Sequence, residues 1–114
     1  MPEKILVIDD EPLILTAVGR ALSRTGYAVS TATDMRGLAA ALDNAPYDLL
    51  ITDIHMKEDS VDAVIQEVKK TSPSVRILFM SGAGNKDHYR NFIEKPFKIA
   101  DLREKVRVIL HEPS

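Results

Sequence analysis

The sequence predicts an α/β fold in which a parallel sheet carries helices on both faces. Three observations lead there. Short β-branched apolar runs recur along the chain, as buried parallel strands require. Segments of helical apolar spacing lie between them. Pro and Gly mark most of the joints. Strand–helix alternation of this kind implies parallel strands joined by right-handed crossovers. At 114 residues the expectation is one domain spanning 1–114.

Taken in order, Lys4-Ile5-Leu6-Val7-Ile8 is the first strand and runs into acid. Pro12 can open a helix, with Ile14, Leu15, Val18, Ala21 and Leu22 at helical spacing and Gly26 as its stop. Tyr27 to Ala32 reads as a second strand. Asp34 can cap a helix bearing Leu38, Ala41 and Leu42. After Pro46, Tyr47 to Thr52 forms a third strand that leads to Asp53. Ser60 or Asp59 can cap the helix of Val61, Val64, Ile65 and Val68, which Pro73 ends. Val75 to Met80 is the fourth strand and Phe92-Ile93-Glu94 a short fifth. A last helix over Ile99 to Leu110 turns Leu102, Val106, Ile109 and Leu110 inward.

The bulk numbers narrow the function classes. The hydrophobic share of 45% and charged share of 28% suit a globular chain. Fifteen basic against seventeen acidic residues give a net charge of −2, with no basic cluster dense enough for direct nucleic-acid binding. No membrane span or secretory pattern is present. With no cysteine, a metal must be held by oxygen or imidazole. A cytoplasmic location is the expectation.

Parallel sheets bind ligands at the carboxyl ends of their strands. There this sequence sets Asp9-Asp10 after the first strand, Asp53 after the third, Ser81 after the fourth and Lys95-Pro96 after the fifth. Carboxylates about 4 Å apart repel by about 4 kcal/mol at an effective dielectric near 20. Such a cluster favours a hard divalent cation, and all-oxygen ligation with retained waters suits Mg²⁺. Lys95 can pair with a carboxylate or an added phosphoryl group. Ser81 can donate to a phosphoryl oxygen, and Gly82 and Gly84 leave the adjoining loop open to a donor. The plainer reading is that these are solvated strand-end residues; the acids, hydroxyl and lysine falling together argue against it.

The segments Ile5-Leu6-Val7-Ile8-Asp9-Asp10-Glu11-Pro12, Tyr47-Asp48-Leu49-Leu50-Ile51-Thr52-Asp53, Phe79-Met80-Ser81-Gly82 and Glu94-Lys95-Pro96-Phe97 resemble response-regulator receiver domains in order and spacing. The resemblance covers nearly the whole chain. It implies a flavodoxin-like, doubly wound, five-stranded parallel sheet in the order 2-1-3-4-5. It implies Asp53 as phosphoacceptor, charged by a histidine kinase or phosphotransfer protein, with Ser81 and Lys95 assisting. It implies a Mg²⁺ site from Asp9, Asp10, Asp53 and the backbone carbonyl of His55. Ser81 and Phe92 fall at the switch positions, although Phe92 lacks the hydroxyl of a tyrosine. The implied output is altered binding of a downstream protein, as a monomer or a phosphorylation-dependent dimer. Self-phosphorylation and self-dephosphorylation would be its only chemistry.

The sequence departs from that pattern twice. Lys57 and Val61 stand where the family commonly has proline and glycine, so the loop after the third strand has a different shape. Lys57 is either a solvated loop lysine or a neutralising group near the acids. Between Ser81 and Lys95, residues 85–91 are polar and allow at most about two turns of helix. The fourth helix is expected to be shortened or absent, the segment being a loop. His55 follows the phosphoacceptor and can tune hydrolysis. His88 and His111 have no metal-ligand spacing and are expected in solvent. Two other readings stay open: a docking module that keeps the fold without the chemistry, and a small Mg²⁺-dependent phosphohydrolase. The chain acts alone or is the receiver of a longer protein.

Overall fold

The computed structural model describes residues 2–56, 58–82 and 91–111. Its elements are β1 (Lys4–Ile8), α1 (Pro12–Ser23), β2 (Ala28–Ala32), α2 (Met35–Ala41), β3 (Leu49–Asp53), α3 (Val61–Thr71), β4 (Arg76–Ser81), β5 (Phe92–Glu94) and α4 (Ile99–His111). The expectations for Lys57, Gly84 and His88 lie outside the described residues, as does that for the segment 85–91 save Asn91.

All four strand pairings are parallel, and the sheet order is β2-β1-β3-β4-β5. Successive strand side chains point to opposite faces, so β1 to β4 supply both cores, while β5 adds only Ile93 to the first. Ile5, Val7, Leu49, Ile51, Leu78, Met80 and Ile93 pack with Leu15, Val18 and Leu22 of α1 and with Leu102, Val106 and Ile109 of α4. Leu6, Ile8 and Leu50 pack on the other face with Leu38 and Ala41 of α2 and Val64 and Val68 of α3. The buried helix residues belong to the predicted stripes, at whose margins Ile14, Leu42, Val61 and Ile65 are half-buried. Leu110 is half-buried at the edge of the first core.

Helix ends follow local chemistry. The Asp34 carboxylate accepts from the Gly37 amide at 2.8 Å. At α3 the cap is Ser60, whose hydroxyl accepts from Ala63 N–H at 3.1 Å. Gly26, with φ +98°, lies in the left-handed region that glycine enters without steric cost, and the chain turns there from α1 into β2.

Several boundaries differ from the sequence reading. The third strand starts at Leu49, because Tyr47 N–H donates to the Ser72 hydroxyl at 2.8 Å and leaves the ladder. That strand extends through Asp53, and β4 extends through Ser81. Leu42 lies in a 3₁₀ turn, Leu42–Asn44, that closes α2.

Candidate active site

Register gathers the predicted residues at one end of the sheet. Ile8 pairs with Thr52, so Asp9 and Asp53 follow on neighbouring strands. Asp53 pairs with Met80, and Ser81 with Glu94, which puts Ser81 and Lys95 next to them. The Lys95 amide donates to the Ser81 carbonyl at 2.8 Å, fixing the start of the loop after β5.

Two carboxylates are held in the same way. Asp9 Oδ1 accepts from Glu11 N–H at 2.9 Å, and Asp53 Oδ1 accepts from His55 N–H at 3.0 Å. In each the backbone two residues on orients the acid. The Oδ2 atoms then share one cation: Lys95 Nζ lies 2.7 Å from Asp9 and 3.3 Å from Asp53. A third carboxylate, Glu11 Oε1, is also 3.3 Å from that ammonium. Asp9 is fully buried and Asp53 is 5% exposed. Ser81 is fully buried as well, while Asp10 is half-buried.

Among the described residues, four acids thus cluster and three of them face one lysine. Asp9, Asp10, Glu11 and Asp53 each offer an oxygen, all within 4.8 Å of one another. Burial raises the pKa of Asp9, against the opposing pull of Lys95 and the Glu11 amide. Burial pulls the Lys95 ammonium down, but Asp9, Asp53 and Glu11 more than offset this and hold it above the usual lysine range. An all-oxygen donor set with excess negative charge fits a hard divalent cation that keeps some waters.

Of the residues named from the sequence, Asp9, Asp10, Asp53 and Lys95 meet in this cluster, and Ser81 borders it through the strand register. His55 is exposed, and its backbone touches Asp53. Phe92 begins β5, opposite Phe79, and is half-buried. It lines a groove with Phe97, Lys98, Asp101 and Lys105 on the edge formed by β5 and α4. His111 is exposed and lies 3.7 Å from Glu3. Glu11 is the residue that received no role from the sequence. The signal was there: a third acid directly after the pair and before the helix-opening Pro12.

The model of the response regulator receiver domain family matches residues 5–107. The chain belongs to that family. Among relatives, the DNA-binding transcriptional regulator NtrC of Rhizobium meliloti (strain 1021) is 30% identical over 118 residues, which covers 96% of this chain and 24% of NtrC. The crystal structure of NtrX from Brucella abortus superposes with a TM-score of 0.83 at 32% identity, covering 96% of this chain and 27% of NtrX. A response regulator receiver domain protein from Clostridium thermocellum gives 0.77 at 30% identity, over 95% of this chain and 94% of that one. The receiver domain thus spans about a quarter of the length of NtrC and NtrX. Such domains are signalling domains of two-component systems rather than metabolic enzymes. Among the described residues, no helix of this receiver domain is long and apolar enough to cross a membrane.

Proposed function

We propose that residues 1–114 act as one phosphorylation-controlled switch whose phosphoacceptor is Asp53. The observation that carries this reading is the ammonium of Lys95 shared by two nearly buried strand-end carboxylates within a four-acid cluster. The Asp53 carboxylate at that position serves as the nucleophile. One Asp53 oxygen forms the new P–O bond as the P–N bond of a phosphohistidine donor breaks. The electron pair of the broken bond returns to the donor imidazole. Asp9, Asp10 and the backbone carbonyl of His55 join Asp53 in holding Mg²⁺, which when bound neutralises charge on the phosphoryl oxygens. Lys95 takes one equatorial oxygen and the Ser81 hydroxyl donates to another.

The donor in this reading is a histidine kinase or phosphotransfer protein, which implies a cytoplasmic setting. The chemistry on the chain is limited to forming and losing its own acyl phosphate. The added charge draws Ser81 toward Asp53, Phe92 repacks beside it, and the edge formed by β5 and α4 changes its affinity for a downstream protein.

The test is an NMR titration with Mg²⁺ and beryllofluoride, a tetrahedral stand-in for the phosphoryl group, on the chain and on its Asp53→Ala variant. Mg²⁺-dependent shifts that spread from Asp53 to Ser81, Lys95 and Phe92, and vanish in the variant, are expected. A silent wild type would leave a docking module with a receiver fold.

A further inference from the structure

Glu11 occupies the N-cap of α1, yet its side chain makes no cap hydrogen bond. Its carboxylate turns instead to Lys95, at 3.3 Å. Burial does not drive this contact, since the Glu11 side chain is 60% exposed while those of Asp9 and Asp53 are 0% and 7% exposed. The backbone beneath it is fixed. Glu11 N–H donates to Asp9, its carbonyl accepts from Ile14 and Leu15, and Pro12 follows. Only the side chain is free to move.

A lysine ammonium has three N–H donors, and Lys95 faces three carboxylates. A phosphoryl oxygen on Asp53 can be engaged only if one of them is released. Asp9 is the closest and is buried; Asp53 carries the new group. Glu11 is the solvated partner, the one that water can take over at least cost.

We propose that Glu11 is a positioning residue that holds Lys95 at the rim of the acid cluster and competes with the phosphoryl group for it. The inference rests on Asp53 being the phosphoacceptor. Two effects of opposite sign follow. The Glu11 charge strengthens binding of a divalent cation by the cluster. Its hold on Lys95 weakens binding of the tetrahedral anion.

The experiment measures three quantities for wild type, Glu11→Gln and Glu11→Asp: the Mg²⁺ dissociation constant, the beryllofluoride dissociation constant at saturating Mg²⁺, and the Lys95 Nζ resonance in metal-free buffer. In Glu11→Gln, Mg²⁺ binding weakens by about threefold and beryllofluoride binding tightens by about threefold, the scale of one exposed charge pair. Glu11→Asp keeps the charge and loses the reach. Its Mg²⁺ constant stays at the wild-type value, its beryllofluoride binding tightens, and the Lys95 resonance moves as it does in Glu11→Gln. A general loss of structure would weaken both ligands together and would overturn the proposal. So would unchanged beryllofluoride binding in either variant while the wild type responds, an outcome that leaves the Asp53 reading intact. A wild type that does not respond overturns the Asp53 reading and this inference with it.

Discussion

At the amino ends of the strands, polar side chains bond to the backbone. Asp48 accepts from the Lys4 amide at 2.8 Å, Ser72 accepts from the Tyr47 amide at 2.8 Å, and Arg76 donates to the Ile109 carbonyl. At the carboxyl ends, Asp9 and Asp53 each give one oxygen to a backbone amide and the other to Lys95. The first arrangement pairs each group with a covalently fixed, neutral partner. The second, among the described residues, sets three acids on one ammonium with Asp10 beside them. Interactions of the first kind define the fold and have no reason to respond to an ion. Interactions of the second kind are held under charge excess, so an arriving cation or phosphoryl group rearranges them.

Lys95→Met is the hardest test of that contrast. Removing one partner of a buried ion pair strands the other charge, at a cost of about 3 kcal/mol. Denaturant unfolding at neutral pH in chelator-treated buffer should show this loss. Millimolar Mg²⁺ should restore a large part of it, because a ligand that binds only the folded state stabilises that state. A deficit that Mg²⁺ leaves untouched would mean that the acids do not act as a cation site.

Ser72→Ala probes the other end. The hydroxyl of Ser72 is 2% exposed as a residue and accepts from Tyr47 N–H, so its loss leaves a buried donor without a partner. The expected cost is about 2 kcal/mol. Here the deficit relative to wild type should be the same with and without Mg²⁺. Equal Mg²⁺ rescue of both variants would erase the distinction between the two ends.

The same contrast explains what the sequence could disclose. Apolar periodicity located every described strand and helix, because β-branched runs and helical stripes are local properties. Asp9, Asp53, Ser81 and Lys95 were legible as a site because parallel strands deliver their last residues to one edge. What stayed hidden depends on partners distant in sequence. Tyr47 resembles a strand residue, but its amide is taken by Ser72, 25 residues away, and the strand starts later. Ser60 and Asp59 were equivalent as caps until the fold directed the Ser60 hydroxyl at Ala63. Glu11 received no role from the sequence. Only the placement of Lys95, 84 residues on, gives its carboxylate a partner.

Asp9→Asn gives the smallest effect and the most discriminating sign. In an ordinary buried ion pair, removing either charge destabilises. Here the net effect of burial, Lys95 and the neighbouring acid raises the Asp9 pKa, so the folded state binds its proton more readily than the unfolded chain does. Stability then rises as pH falls through the raised pKa, and this gain levels off near the ordinary carboxylate value of about 3.9. At neutral pH the ionised Asp9 therefore costs stability in the metal-free domain. Asn keeps the shape and an oxygen acceptor for the Glu11 amide while removing the charge. Thermal unfolding in chelator at neutral pH should show a gain on the order of 1 kcal/mol, or about 4 °C in Tm. The variant should also lose part of the wild type's stabilisation on mild acidification. With Mg²⁺ present the advantage should shrink or reverse, because wild type regains through the cation what it lacks alone. A lower Tm for Asp9→Asn in chelator would mean that the Lys95 contact outweighs the crowding, and that the carboxyl end of the sheet is a structural ion pair like any other.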